Sequence, residues 1–307
     1  MKTKYKVDFA VLIPCHNEEK SIGKVLLELT LIFKPDSIFV GLNACSDKTL
    51  EIAKKFNVVT ISNNSIGKGN MVRTLFESID AKTYLLIDGD STYSTEKVLD
   101  AIEYFNEKSL MMLIGKRITS DNKIFRKGHF FGNKLMTIFS NFFLGTKITD
   151  SLSGFRILSE TFVKTFNSSS KGFEIESDFN SHASVIGGLV SEYPIKYFKR
   201  PQGSFSKLRT FSDGIKIATN ILRLGFRVRP LQSFIIISLP WLFLAIFGIV
   251  RSLNQYFKSG EIPNYPSLIG GVGSFLVFSL LVTCGIIVNR MLIYKSEVIK
   301  VFARNFN

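Results

Sequence analysis

Two aspartates separated by one glycine, Asp88-Gly89-Asp90, give the sharpest chemical signal in the chain. Carboxylates spaced in this way can face one hard cation and a diphosphate together. Mg²⁺ and Mn²⁺ take oxygen ligands, commonly a few protein carboxylates plus phosphate oxygens. The same tripeptide also reads as a turn capped by its own aspartates, because Asp-Gly is a common turn pair. The setting favours the metal. YLLI at Tyr84–Ile87 has the pattern of a buried strand, and Ser94 and Thr95 read as a helix start. The pair therefore stands at the carboxyl end of a strand.

Other polar residues offer weaker signals. Asp47, in Asn43-Ala44-Cys45-Ser46-Asp47-Lys48-Thr49, reads either as a contact to a nucleotide base or ribose or as a helix N-cap, with Ser46 competing for the cap. Lys68, in SIGKGN, either faces a diphosphate or solvates a turn. Gly67-Lys68-Gly69 lacks the upstream Gly and the following Ser or Thr of a P-loop. No G-x-G-x-x-G follows the first strand, so a standard dinucleotide fold loses support. His16, His129 and His182 lack metal-ligand spacing; a structural hydrogen bond suits His16, and packing suits Cys15. Cys15, Cys45 and Cys284 stand far apart, which argues against a zinc site or disulfide framework.

These residues need a frame. Strand-like runs at Asp8–Ile13, Ser37–Gly41, Val58–Ile61, Tyr84–Ile87 and Leu110–Ile114 alternate with helical patterns at Glu18–Phe33, Asp47–Phe56, Gly69–Ser78 and Thr95–Phe105. Such alternation predicts an α/β fold, a mostly parallel sheet covered on both faces. Ligands in such sheets bind outside the carboxyl ends of the strands. That places Pro14–Glu18, Asn43–Asp47 and Asp88–Asp90 in the site loops.

The chain is basic and apolar together, with formal net charge +14 over 307 residues and mean hydropathy +0.20. Nucleic acid or an anionic membrane could account for the charge; only a membrane accounts for both features. No helix-turn-helix, zinc-finger or RNA-binding signature appears, so nucleic acid is not an expected partner. No charged residue occurs between Arg229 and Arg251, and a second uncharged stretch runs from Ile262 to Asn289. Each can supply a transmembrane helix, at about 231–250 and 268–289. Pro240 is tolerable inside such a span. Lys216, Arg223, Arg227 and Arg229 precede the first span; Arg290, Lys295, Lys300 and Arg304 follow the second. Both flanks outweigh the loop between them, which predicts a multi-pass membrane protein with its catalytic part and both termini in the cytoplasm. The front of the chain has too short an apolar run for a signal peptide. The expected division is a catalytic domain at 1–208, a juxtamembrane interface helix at 209–229, and the two spans with a short tail at 230–307. Phe130–Leu144 reads either as an amphipathic helix at the membrane surface or as a core helix.

VLIPCHNEE, SDKT, GKGN and LLIDGDSTY together resemble a family 2 glycosyltransferase of the GT-A fold, the Rossmann-like nucleotide-diphospho-sugar transferase domain. Asp150 followed by SLSGFR (Ser151–Arg156), GFEIES (Gly172–Ser177) and YFKRPQGSFSKL (Tyr197–Leu208) narrow this. They resemble polyprenyl-phosphate glycosyltransferases, the group holding dolichol-phosphate mannosyltransferases and bactoprenol glucosyltransferases. The resemblance covers about residues 8–229. It implies a divalent cation, Mg²⁺ or Mn²⁺, at Asp88 and Asp90. It implies donor contacts at Pro14, Asn17, Glu18, Asp47, Lys68 and Gly89, and acceptor-side groups at Arg117, Arg126, Arg156, Arg200, Ser206 and Lys207. The chain departs from the pattern at Asn43 and Ala44, where an acidic residue precedes a Gly-Ser pair, and at Thr92, where some mannosyltransferases have Gln. The first change blurs uridine against guanosine; the second removes one possible contact to the metal or to the groups that support its ligands.

The implied reaction is inverting transfer of a hexose from a nucleotide-diphosphate sugar, UDP- or GDP-linked, to a polyprenyl or dolichyl phosphate, feeding glycan or glycoprotein assembly. Asp90, Arg117 and Asp150 are the expected catalytic residues. Lys68 or Arg117 could share the leaving-group charge. Asp150 could assist as a base or position Arg156. Glu174 and Glu176 could orient the sugar or the basic residues, and their spacing fits a strand or a turn into a helix. The basic cluster reads as a phosphate clamp or as a surface touching anionic membrane lipids. A processive polysaccharide synthase is disfavoured by the absence of Q-x-x-R-W, and a non-catalytic binding protein by the intact Asp88/Asp90 pair. A homo-oligomer stays open.

Overall fold

The computed structural model describes residues 4–119, 127–201, 203, 207, 210–261 and 264–305. Elements follow in the order β1 (Tyr5–Cys15), α1 (Ile22–Thr30), β2 (Ile38–Asn43), α2 (Thr49–Lys55), β3 (Val59–Asn63), α3 (Lys68–Ser78), β4 (Ile79–Leu86), α4 (Val98–Glu107) and β5 (Met112–Ile118). Then come α5 (Lys127–Leu144), β6 (Arg156–Ser159), α6 (Glu160–Thr165), α7 (Ile175–Ile186), β7 (Val190–Lys196), α8 (Thr210–Val228), α9 (Pro230–Ser259) and α10 (Tyr265–Asn305). The chain divides into two compact units, Met1–Ile221 and Leu222–Asn307.

In the first unit the described strands form one seven-stranded sheet, ordered β3-β2-β1-β4-β6-β5-β7. It is mostly parallel, as the alternation of elements predicts; β6 alone runs antiparallel to both its neighbours, β4 and β5. Val11 pairs with Ile38 on one side and Leu85 on the other, so β1 is a central strand buried on both faces. Side chains alternate across a strand. Val11, Ile13 and Cys15 accordingly join one core layer with α1 and α4. Ala10 and Leu12 join the opposite layer with α3, α6 and α7.

Helix α1 buries Ile22, Val25, Leu26 and Leu29, the spacing of one helical face. It starts later than its apolar pattern suggests. Asn17 turns the chain out of β1 with φ 55°, and the Glu18 carbonyl takes the N–H groups of Ser21 and Ile22. Ala44 (φ 45°) and Ser91 (φ 61°) do the same in the loops after β2 and β4. A non-glycine residue in this region costs about 1–3 kcal/mol. Three such residues at the carboxyl ends of three strands mark where the fold accepts strain to aim side chains.

The second unit holds α9 and α10. Pro230–Ser259 and Tyr265–Tyr294 are each 30 residues and apolar enough to cross a membrane by length and composition. Only 22% and 11% of their most apolar windows are buried, unlike the core helix of a soluble domain. Pro240 lies inside α9 without ending it. Glycine lets the two helices approach closely: a Cβ on Gly248 would stand 2.6 Å from the Ser267 carbonyl oxygen and 2.9 Å from the Gly271 Cα.

Candidate active site

The carboxyl ends of β1, β2 and β4 bring together the loops that the sequence singles out. Asp90 is 4% exposed. Its Oδ1 accepts the backbone N–H of Thr92 at 3.1 Å and the Thr92 hydroxyl at 2.6 Å. Its Oδ2 pairs with Arg200 Nη2 at 2.5 Å. Burial and the charge of Asp88 push the Asp90 carboxyl up, with Arg200 acting against them. Asp88 Oδ1 accepts from Lys68 Nζ at 2.6 Å, and the same ammonium reaches Glu176 Oε1 at 2.8 Å. Burial alone would pull Lys68 down, but Asp88 and Glu176 outweigh it and hold the ammonium well above its ordinary value.

Glycine is required beside both aspartates. A Cβ on Gly89 would lie 2.5 Å from Cys15 Sγ, and a Cβ on Gly154 would overlap Asp88 Oδ2. Tyr93 holds the Gly154 turn: its hydroxyl accepts the Gly154 N–H at 2.8 Å and lies 3.2 Å from the Ser153 hydroxyl. Cys15 is buried, and burial pushes its thiol well up, which suits packing and not nucleophilic attack.

On the nucleotide side, Asn17 Oδ1 accepts the Ser46 N–H at 2.8 Å. Asp47 accepts from Glu19 N, Thr49 N and the Thr49 hydroxyl, so it ties the loops after β1 and β2; the N-cap position of α2 is Lys48, one residue beyond the expected Asp47. Ser46 does not take that role. Burial would raise the Asp47 carboxyl, but the Thr49 hydroxyl and these N–H groups hold it below the ordinary range. Both amide groups of Asn43 are engaged: Nδ2 donates to the Ser65 carbonyl and Oδ1 accepts from Gly67 N, each at 2.7 Å. Asn43 thereby fixes the loop carrying Lys68. His16 Nδ1 lies 2.6 Å from the Asn43 carbonyl oxygen, a structural contact. Pro14 stands one residue before the end of β1, in register with Gly41.

On the other side, Arg117 grips Asp150 through Nε (2.7 Å) and Nη2 (2.5 Å), and its backbone N–H adds a third bond at 3.1 Å. Burial would raise Asp150, but Arg117 outweighs it and holds the carboxyl below the ordinary range. Arg200 also faces Glu18 Oε1 at 3.6 Å, and Lys207 Nζ donates to the Asn17 carbonyl at 3.1 Å. Arg126 and Ser206 lie outside the described residues.

Arg156 departs from expectation. Its side chain is 0% exposed. Nη1 donates to Asn180 Oδ1 at 2.8 Å, Nη2 to the Ser151 carbonyl at 2.9 Å, and Nε to the Ser153 carbonyl at 3.3 Å. Burial pulls its guanidinium down to about 10. With its donors spent inward, Arg156 cannot meet an acceptor phosphate; it fixes the turn that carries Gly154. GFEIES opens α7 as a helix. Glu174 caps the N–H groups of Lys171 and Gly172, and Glu176 holds Lys68. Of the two roles the sequence leaves open for Glu176, the structure has it on a basic residue, Lys68; sequence reasoning did not single out Tyr93, Gly154 or Asn180. The SLSGFR motif was the available signal for Gly154.

Through these ion pairs four carboxylates, Glu18, Asp88, Asp90 and Glu176, share two cations, Lys68 and Arg200. If all are ionised, two negative charges are left over, which one divalent cation would neutralise. Among the described residues no three His, Cys, Asp or Glu side chains assemble into a metal cage. Asp88 and Asp90 supply carboxylate oxygens, the donor type a hard divalent cation takes.

This sheet, with its carboxylate pair after β4, is a GT-A-like fold of the nucleotide-sugar transferases. Residues 10–166 match the glycosyl transferase family 2 domain, and the chain belongs to that family. It is 35% identical over 126 residues to Protein RfbJ of Shigella flexneri, covering 41% of this chain and 98% of that protein. It is 24% identical over 222 residues to the dolichyl-phosphate hexose transferase of Haloferax volcanii, covering 72% and 96%. Glucosyl-3-phosphoglycerate synthase from Mycobacterium tuberculosis, in complex with Mg²⁺ and UDP, shares the fold with a TM-score of 0.57 at 14% identity, covering 71% of this chain and 79% of that one.

Proposed function

We propose that this glycosyltransferase moves one hexose from a UDP- or GDP-linked sugar to the phosphate of a polyprenyl or dolichyl phosphate, with inversion at the anomeric carbon. The observation that carries the reading is the engagement of Arg200 and Lys207 with donor-side groups. Both cations belong to the chain segment that leads into α8 and the apolar helices. Arg200 thus stands against Asp90 and Lys207 against the Asn17 carbonyl, both on the segment that precedes the apolar helices in sequence. The likeness to a dolichyl-phosphate hexose transferase supports a lipid acceptor. The Mg²⁺ and UDP complex of the structural neighbour supports a nucleotide donor with a divalent cation.

Asp88 and Asp90 would hold Mg²⁺ or Mn²⁺, which when bound supplies Lewis-acid neutralisation of the charge on the departing diphosphate. Lys68, first residue of α3, adds a fixed positive charge at a helix N-terminus, where anions bind well. Pro14, Asn17, Glu18, Asp47 and Gly89 frame the nucleotide. Arg200 and Lys207 orient the acceptor phosphate, and Arg126 and Ser206 join them on the strength of the family resemblance. A phosphate oxygen is already anionic near neutral pH, so it needs orientation and desolvation more than deprotonation. Asp150 suits that chemistry, because Arg117 occupies both its oxygens and lowers its basicity. The pair acts as a strut beside the acceptor.

Helices α9 and α10 would anchor the chain as a membrane hairpin, residues 209–229 would form the juxtamembrane helix, and the positive flanks would place the catalytic domain and both termini in the cytoplasm. The acceptor assignment is tested by nucleoside diphosphate release with polyprenyl phosphate or with the matching unphosphorylated polyprenol. Release should depend on the phosphate; equal release with both lipids would refute it.

A further inference from the structure

Both oxygens of Asp90 are engaged, but their partners differ in kind. The Thr92 bonds to Oδ1 come from Asp90's own turn and are buried. Arg200 reaches Oδ2 from a distant part of the chain and keeps 26% of its side chain exposed. Breaking the Thr92 bonds would strand buried donors, which is costly. Parting from Arg200 strands no donor of the Asp90 turn and leaves a partly exposed guanidinium that still faces Glu18. A divalent cation at Asp88 and Asp90 would also repel that guanidinium, so Arg200 is the partner that leaves. Lys68 is not equivalent: it is pinned between Asp88 and Glu176 with a side chain only 10% exposed.

We infer that Arg200 is shared between the two ligands. It neutralises Asp90 and Glu18 until a divalent cation takes Asp90, and the guanidinium so released takes the anionic acceptor. The inference rests on the donor and acceptor assignment proposed above. Because one side chain serves both, each ligand raises the affinity of the other. Linkage requires the same factor in both directions. Arg200 is therefore a positioning residue that makes the acceptor site complete only after the donor side is charged.

The test is Mn²⁺ binding to the full chain in detergent, followed by electron paramagnetic resonance without nucleotide, with and without a short-chain polyprenyl monophosphate. Wild type should bind Mn²⁺ about 5–150-fold more tightly when the lipid phosphate is present, and the lipid phosphate more tightly by the same factor when Mn²⁺ is present. Arg200→Gln should bind Mn²⁺ alone more tightly than wild type and lose the coupling. Lys20→Gln removes the same charge beside Gly203 and should leave both the Mn²⁺ affinity and the coupling near wild type. Arg200→Lys keeps the charge and should retain part of the coupling, which decides the matter if the Gln variant fails to fold. If wild type binds both ligands independently, or if Arg200→Gln couples like wild type, the inference is overturned while the proposed function stands. If wild type binds no Mn²⁺ without nucleotide, the inference is overturned, and the phosphate-dependent release assay above decides the proposed function separately.

Discussion

Arg117 grips both oxygens of Asp150, and the Arg117 backbone N–H adds a third bond. An aspartate held in this way is a strut before it is a base. Removing one member of a buried pair leaves an uncompensated charge and typically costs about 3–5 kcal/mol. Asp150→Asn should therefore lower the thermal unfolding temperature of the detergent-solubilised chain at neutral pH. The folded carboxyl sits below its ordinary value. Its stabilising effect is thus complete above the unfolded aspartate pKa of about 3.9 and drains as pH falls through the lower folded value. The gap between wild type and Asp150→Asn should close in that acid window; a gap that widens there would contradict the strut. At this scale the sequence was partly readable. Asp88 and Asp90 stand out because their spacing and strand context are local. The burial of Arg156 is not local: it depends on Asn180 in α7 and on carbonyls of the Ser151–Ser153 turn.

The glycine two residues before β6 matters as much as Asp88, which it faces. A Cβ at position 154 would overlap the Asp88 carboxylate, so Gly154→Ala must displace a proposed metal ligand without removing it. Loss of such supporting contacts typically costs about 10–100-fold in metal affinity or activity. Mn²⁺ affinity of Gly154→Ala should fall by that order, and an unchanged affinity would count against Asp88 as a ligand. In the second unit, Gly248→Leu should force α9 from α10, because a side chain there would meet the Ser267 carbonyl and Gly271. Faster proteolysis between the two helices would report it, and wild-type resistance would argue against this packing. Strands β1 to β5 and the helices between them were legible because alternation and helical periodicity are local. The later strands were harder. β6 has only four residues, and its antiparallel place between β4 and β5 is fixed by long-range pairing alone.

The net charge of +14 and the positive mean hydropathy have separate sources in the folded chain. Two long helices carry the apolar excess in one unit; in the other, some of the positive charge serves the carboxylate site through Lys68 and Arg200. Attachment through anionic headgroups alone would weaken with salt, because screening shortens electrostatic reach. The chain should stay in the membrane fraction through high-salt and alkaline carbonate washes, and release by either would refute the membrane hairpin. The central claim concerns the proposed hexose transfer. The most direct measurement incubates the solubilised full chain with polyprenyl phosphate, Mg²⁺ or Mn²⁺, and a panel of radiolabelled UDP- and GDP-hexoses, alongside Asp90→Asn. One donor should label the lipid, and the label should vanish with a chelator and fall by at least about 100-fold in Asp90→Asn, the scale of losing one electrostatic stabiliser. No labelled lipid from any donor, or full labelling by Asp90→Asn, would contradict the account.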